Sequence, residues 1–332
     1  MLVAWLAVFA PAASAEDAYT PAPTPPKSAE VVSVGIEPIS FEAIDVSNND
    51  FASNFYVWWR WKGPIDPVAT TDIYNSTEAE THYVVTYSYT DAKGQEQPLS
   101  LPNGYKYQTA KIATGIGASY GIGRYPLDTQ DLTIRIENNT YDFSQLAYVP
   151  DTTNLSKSPG FEVTGWNVKG VSMEPLLHTY GTNFGLAGQG EDASKYSQLT
   201  YTVEIARPVG HFIWKLLLPM AVVLLAVLGA LFVMEDKTDV RLILVATGLL
   251  TLIFLQQGYA GELPLTSPAV LMDLIYVAGY AAVGLTFARV IYTANQIHHH
   301  ENDRHKYVRG DRIAAVTIAG AFVVALVVLL LS

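Results

Sequence analysis

No cysteine occurs in the chain. That absence excludes disulfides, zinc–thiolate sites and thiol nucleophiles together. Charge is scarce as well: 15% of the 332 residues are Asp, Glu, Lys or Arg, where soluble domains carry about 25%. Half the residues are hydrophobic and the mean hydropathy is +0.19. Basic charge is thinnest at the front. Residues 1–206 hold 11 of the 20 Lys and Arg against 23 of the 31 Asp and Glu, a net of −12. Residues 207–332 hold the other 9 and 8, a net of +1. An acidic front half repels phosphate backbones, so nucleic acid is not an expected partner. The length alone would suit about two soluble domains of roughly 150 residues. The charge asymmetry instead divides the chain into a polar acidic part and a nearly uncharged one.

Residues 1–15, MLVAWLAVFAPAASA, join a short apolar run to the small-residue pattern Ala13-Ser14-Ala15. They read as a signal peptide, without the usual positive start. Residues 16–30 contain a Pro/Thr-rich stretch and are expected to be an extended leader. Residues 31–208 read as strands. The segment 53–61 is dense in aromatics, 82–90 (HYVVTYSYT) runs into a polar turn at 91–94, and 131–137 alternates with Leu132, Ile134 and Ile136 on one face. The segments 105–125, 161–171 and 199–206 also read as strand. Many short strands separated by Gly, Pro and Asn predict an all-β, immunoglobulin-like sandwich.

Four apolar runs follow, at 212–234 with the single charge Lys215, 242–259, 274–288 and 313–331. A bilayer takes about 20 apolar residues per helix. The expected domain, 209–332, is a four-helix transmembrane bundle with helices at about 210–234, 240–259, 268–292 and 311–331. The first loop carries Lys237 and Arg241, the third carries Arg304, Lys306, Arg309 and Arg312, and the 260–267 loop has neither Lys nor Arg. By the positive-inside rule the 235–239 and 293–310 loops are cytoplasmic and the β domain is outside. A multi-pass protein of the cell (inner) membrane is expected.

Several motifs admit a chemical reading. Gly117-Ala118-Ser119-Tyr120-Gly121 matches the hydrolase pattern G-x-S-x-G, which requires a strand–turn–helix context that 105–125 does not offer. Gly115 and Gly117 lack the third glycine of a dinucleotide loop. His298, His299, His300 and His305 carry imidazoles suited to zinc or nickel, but three consecutive residues do not share one helix face. No metal, cofactor or enzymatic activity is expected. Asn75-Ser76-Thr77, Asn138-Asn139-Thr140 and Asn154-Leu155-Ser156 are glycosylation sequons.

The second apolar run is the most informative. Ile243, Thr247, Leu250, Phe254, Gln257 and Gly261 form one stripe at steps of four and three residues. The stripe spans about 27 Å, close to the hydrocarbon thickness. Asp239 precedes it and Glu262 follows it, an arrangement suited to a cation pore, since acidic rings attract cations and apolar rings gate by dewetting. A neighbouring stripe, Leu244, Gly248, Thr251, Leu255, Gly258 and Glu262, fits the periodicity equally well. An ordinary bundle helix with anchoring charges fits it too.

The order of parts resembles the pentameric ligand-gated ion channels of the Cys-loop receptor superfamily, in particular the bacterial members without the cysteines, over roughly residues 31–332. Gly123-Arg124-Tyr125-Pro126-Leu127-Asp128-Thr129-Gln130 is similar to the family's aromatic-Pro-aromatic-Asp-x-Gln loop, with Leu127 in place of the second aromatic. Pro102-Asn103-Gly104 precedes that loop and Gly165-Trp166 follows it. Arg207, Leu218-Pro219, Leu263-Pro264, Asp273 and Ala278-Gly279-Tyr280 also match, and the Pro219-to-Pro264 spacing fits the amine-activated bacterial channel without gaps.

The resemblance implies a homopentamer in a lipid bilayer that passes cations when a small-molecule or ionic agonist binds outside. It selects the first stripe as pore-lining, with Leu250 and Phe254 as the gate and Asp239 and Glu235 as selectivity acids at the inner mouth. Arg124, Pro126, Asp128, Arg207 and Pro264 fall to coupling, with Asp128 and Arg207 ion-paired. Glu137 stands where the amine-activated relative has an acid, and Tyr141, Tyr180, Phe184 and Tyr196 are candidate ligand aromatics around a long loop at 176–197. The family's Trp-x-Pro segment is absent between 64 and 101, and Asn139 replaces an aromatic. The agonist site and activation by protons or divalent ions therefore both stay open. A non-conducting membrane receptor is the rival; it needs a cytoplasmic output domain, and the chain runs out at Ser332. A hydrolase built on Ser119 would have to recruit His82 or His178.

Overall fold

The computed structural model describes residues 17–78, 82–87, 89–91, 93, 96–154, 161–182, 195–234, 236–264, 268–299 and 304–331. Strands β1 (Ala18–Pro21), β2 (Glu30–Asp45) and β3 (Asp50–Trp61) are followed by a short helix, α1 (Pro67–Thr70), and β4 (Thr71–Ile73). Next come β5 (His82–Tyr87), β6 (Tyr89–Thr90), β7 (Glu96–Gln97), β8 (Leu99–Ser100), β9 (Lys106–Gly117) and β10 (Thr129–Asn138). The last strands are β11 (Leu146–Pro150), β12 (Asn167–Thr179) and β13 (Lys195–Ala206). One sheet has the order β1-β12-β13-β10-β4, and the other β11-β2-β3-β9-β5 with β8 beside β9. All pairings are antiparallel except β11 with β2.

The two sheets form a sandwich because their strands alternate. Val32, Val34 and Ile36 of β2, Phe55, Val57, Trp59 and Trp61 of β3, Leu132, Ile134 and Ile136 of β10 and Leu199, Tyr201, Val203 and Ile205 of β13 all point inward and are buried. That is the two-residue period of strands with one wet face. Gly35 lets the Trp58 indole lie across β2; a Cβ there would fall 2.0 Å from the ring. Asn75 replaces a strand in one place. Its amide donates to the Gly117 and Thr133 carbonyls and accepts from the Arg135 N–H, tying β9 to β10.

Four long helices follow: α2 (Val209–Phe232), α3 (Thr238–Ala260), α4 (Leu271–His299) and α5 (Arg304–Leu331). Each contains an apolar stretch long enough to cross a bilayer. α2 changes pitch along its length, with a π segment at Phe212–Leu217 just before Pro219 and a 3₁₀ turn at Ala230–Phe232. Their buried faces, among them Met220, Leu224 and Val227 of α2, Val245 and Leu252 of α3 and Ile275 and Val283 of α4, make a second core. Gly248 brings α3 close to α2, since a Cβ there would fall 2.2 Å from Val227.

The structure corrects several sequence boundaries. The leader is not outside the fold, because Ala18–Pro21 pairs with Leu176–Thr179 at the edge of the first sheet. The segment 105–125 is not continuous strand. β9 stops at Gly117, and the loop beyond it turns on itself through Tyr125 N–H to Ile122 O and Leu127 N–H to Arg124 O. Pro126 has no N–H for a ladder. The strand expected at 161–171 begins at Asn167, after a turn in which Gly165 adopts φ +82°, a conformation that favours glycine. The helices expected to end at 292 and start at 311 instead run to His299 and from Arg304. Apolar content locates a membrane span, but backbone hydrogen bonding continues a helix into water. Residues 1–15 lie outside the described residues.

Burial raises the phenols of Tyr148 and Tyr201 to about 12, in Tyr148 against the lowering effect of its bonds with Thr71 and Asn138. Because the folded values exceed the unfolded value of about 10, their contribution is complete below about pH 10 and is lost as pH rises through about 12. Thermal unfolding of the solubilised chain should therefore be level up to about pH 10 and then fall, by up to about 1.4 kcal/mol per pH unit for each tyrosine. Tyr148→Phe should make the fall shallower. A flat profile through this range would contradict the assignment.

Candidate functional sites: cavity, junction and helix stripe

At the sandwich end remote from the helices, Asp72, Tyr74, Glu137, Asn138, Asn139, Tyr180 and Tyr196 line a cavity of about 260 Å³. β4, β10 and the ends of β12 and β13 bring them together. Glu137 is not a free acid at this cavity. It is 4% exposed, and its carboxylate accepts from Gln198 Nε2 at 2.8 Å, His178 Nδ1 at 2.7 Å and the Tyr180 hydroxyl. Its three donors leave it the role of a brace. Burial, and then the bond to Glu137, push the Tyr180 phenol up. His178 is fully buried among rings, with Tyr19 stacked on it at 4.5 Å and Tyr74 and Tyr180 at 5.1 and 3.9 Å. Its Nε2 lies 3.6 Å from the Asp17 carboxylate, with no hydrogen bond. Tyr141 lies apart from the cavity and packs on the sandwich core. Phe184 lies outside the described residues.

Where the sandwich meets the helices, Arg207 Nε donates to Asp128 Oδ1 at 2.9 Å. The guanidinium also lies over the rings of Trp166 and Tyr125, at 4.3 and 4.8 Å. Gln130 Nε2 donates to the other Asp128 oxygen. The Tyr125 hydroxyl donates to Glu262 at 2.8 Å, and its ring stacks on Tyr259 at the end of α3. Burial first, then the carboxylate of Glu262, push the Tyr125 phenol up. Tyr259 in turn donates to Asp273 at the start of α4. Leu271 and Met272 N–H groups donate to Gly123 and Tyr125 carbonyls. Pro126 is buried, Pro264 half-buried beside this contact, and Arg124 is exposed, donating to the Leu330 carbonyl at 3.5 Å.

On α3, Ile243, Thr247, Leu250, Phe254, Gln257 and Gly261 are all exposed, with Ile243, Leu250 and Phe254 at 63, 53 and 67%. The opposite face, Arg241, Val245, Gly248, Leu252 and Tyr259, is buried. The competing stripe is mixed: Gly248 is buried, and Leu244, Thr251 and Leu255 are half-buried against neighbouring helices. Asp239 is exposed at the start of α3, and Glu235 lies outside the described residues. Among the described residues no cluster of three or more His, Cys, Asp or Glu could hold a metal. Ser119 sits on the irregular loop after β9, with no helix behind it.

No protein-family model matches the chain. It is 22% identical over 245 residues to a proton-gated ion channel of Gloeobacter violaceus, covering 71% of this chain and 65% of that one. It is 25% identical over 196 residues to a gamma-aminobutyric acid receptor subunit beta of Lymnaea stagnalis, covering 58% of this chain and 37% of the relative. A gamma-aminobutyric acid receptor subunit beta of Caenorhabditis elegans matches at 23% over 192 residues. The chain thus spans between about a third and two thirds of these relatives' lengths. With the sandwich, four helices and junction loop, these similarities make the chain similar to ion channels of the Cys-loop receptor superfamily. It is a multi-pass membrane protein with the β domain outside.

Sequence reasoning missed three members of the superfamily fold's cavity region here. Tyr74 supplies an aromatic from the stretch that lacks the Trp-x-Pro segment; the alternation of Thr71-Asp72-Ile73-Tyr74 was the available signal. Tyr19 was hidden by the reading of its segment as leader. Asp72 carried no signal by itself.

Arg207→Ala should lower the unfolding free energy by about 3–5 kcal/mol, because it strands the buried Asp128 carboxylate. Arg207→Lys should recover only part, since an ammonium does not lie flat across two rings. Denaturant titration of the solubilised protein measures both. Wild-type stability in Arg207→Ala would show that the pair contributes nothing.

Proposed function

We propose that the chain is a subunit of a pentameric, ligand-gated, cation-selective channel whose pore is lined by the exposed stripe of α3. The observation that carries this reading is the character of that stripe. Thr247 and Gln257 are exposed within a helix long and apolar enough to cross a membrane, and lipid gives a carboxamide no hydrogen-bond partner. A water-filled path enclosed by copies of α3 satisfies both residues, and five-fold symmetry follows from the family. Asp239 then forms an acidic ring at the cytoplasmic mouth. Leu250 and Phe254 form stacked apolar rings that stop ions by excluding water.

The outer cavity is the proposed agonist site, for a small amine. Asp72 is exposed at its edge and Tyr74, Tyr180 and Tyr196 face it, the components of a cation–aromatic cage. Protons are the second candidate stimulus. The Gloeobacter relative is named as proton-gated, and His178 stands between the carboxylates of Glu137 and Asp17. Currents from purified protein in planar bilayers, recorded with primary amines at fixed pH and then across pH without amine, separate the two. Silence under both would reject the channel reading.

Three substitutions test the pore. Leu250→Ser should admit water to the narrow ring, producing leak without agonist and a left-shifted response, with Phe254→Ser a weaker version. If Leu250 were instead packed in a closed bundle, the same change would bury an unpaired hydroxyl, cost roughly 1–3 kcal/mol and reduce yield without leak. Asp239→Asn should move the reversal potential in a salt gradient toward nonselective behaviour. An unmoved reversal potential would remove Asp239 from the selectivity site.

A further inference from the structure

Among the described residues the membrane domain holds one buried ion cluster, at the end of the helices remote from the sandwich. Arg241 sits in the first turns of α3, two residues after Asp239, yet it is 1% exposed and faces away from the pore stripe. Its Nε donates to the Ala230 carbonyl at the end of α2, and one terminal nitrogen donates to Asp311 Oδ2 at 2.6 Å. Asp311 belongs to α5, the least buried of the four helices. Its other oxygen accepts from Arg289 Nε at 2.8 Å and the Thr293 hydroxyl at 2.6 Å, both on α4. Gly310 makes room for that second guanidinium, since a Cβ there would fall 2.3 Å from it. Two arginines thus share one carboxylate, and the acid itself is 2% exposed.

We propose that Asp311 is a specificity-determining positioning residue: it holds the Arg241 charge behind α3, where it does not oppose the exposed Asp239 at the inner mouth. This rests on the cation-channel reading above. An arginine stem is long enough to carry its head from a buried site to nearby water, and a buried guanidinium without its acid is strongly driven to do so. The nearest water lies at the mouth. Copies of Arg241 released there would oppose the Asp239 carboxylates. Asp311 touches no permeating ion; it acts through Arg241.

The test uses the full-length protein in planar bilayers under an asymmetric NaCl gradient. The wild-type reversal potential checks the channel reading by itself: no current, or chloride preference, rejects that reading whatever the variants do. Given a cation-selective wild type, Asp311→Asn should shift the reversal potential toward the chloride equilibrium potential and lower cation conductance. Adding Arg241→Gln to Asp311→Asn should restore both, which a merely structural role for Asp311 would not produce. Arg241→Gln alone should change neither, because its charge is already sequestered. An assembled Asp311→Asn channel with wild-type selectivity and conductance overturns the proposal. Should Asp311→Asn fail to assemble, Arg241→Gln still decides: a rise in cation conductance would show that Arg241 already acts on the pore and would overturn it equally.

Discussion

The contact between Arg207 and Asp128 is the constraint on which the arrangement of the two halves depends. The sandwich is built for water on its outer faces and the helices for lipid, and at their junction Val46, Ile122 and Tyr125 share a buried apolar cluster with the helices. A charged pair stands beside that cluster. Asp128 is 3% exposed, and a carboxylate that deep is tolerable only with a cation and hydrogen bonds in place. Arg207 supplies the cation, Gln130 a further donor, and Trp166 and Tyr125 the aromatic faces that hold the guanidinium plane. The same Tyr125 reaches Glu262 and Tyr259 at the end of α3. Static contacts thus run from β10 and β13, which meet at this pair, to the end of α3.

The acids of this chain fall into two groups with different duties. Glu137, Asp128 and Asp311 are buried and each has at least two named donors. They brace the cavity, the junction and the inner end of the bundle. Asp72 and Asp239 are exposed, at the rim of the cavity and at the start of α3. Only exposed carboxylates can meet an incoming cation without first giving up internal partners. On the proposed reading, that division favours Asp72 over Glu137 as the acid for an amine and keeps Asp239 at the mouth of the helix stripe.

Much of the architecture was legible because it follows from period and length. Strict alternation in β10 and the aromatic density of β3 mark strands facing a core. Four apolar runs mark spans, since their hydration would be costly whatever they packed against. Local chemistry misled where tertiary pairing decided the outcome. The Pro-containing leader donates an edge strand because β12 offered an unpaired edge. The sequon asparagines Asn75 and Asn138 have their amides engaged within the fold, Asn138 at zero exposure.

By itself the sequence determined the class of each segment, sandwich strand or membrane helix, because hydrophobic periodicity and run length are properties of neighbouring residues. It also contained two equally periodic stripes on α3 and could not choose between them without the resemblance. Tertiary structure distinguishes them by burial: Gly248 of the second stripe is driven against Val227, and the first stripe is uncovered in the single subunit. It likewise decided which charges are spent internally. Whether Arg241 faces a pore or Asp311, 70 positions away in the chain, depends on helix packing. No local pattern encodes that, because burial is a property of the assembled neighbours and not of the residue.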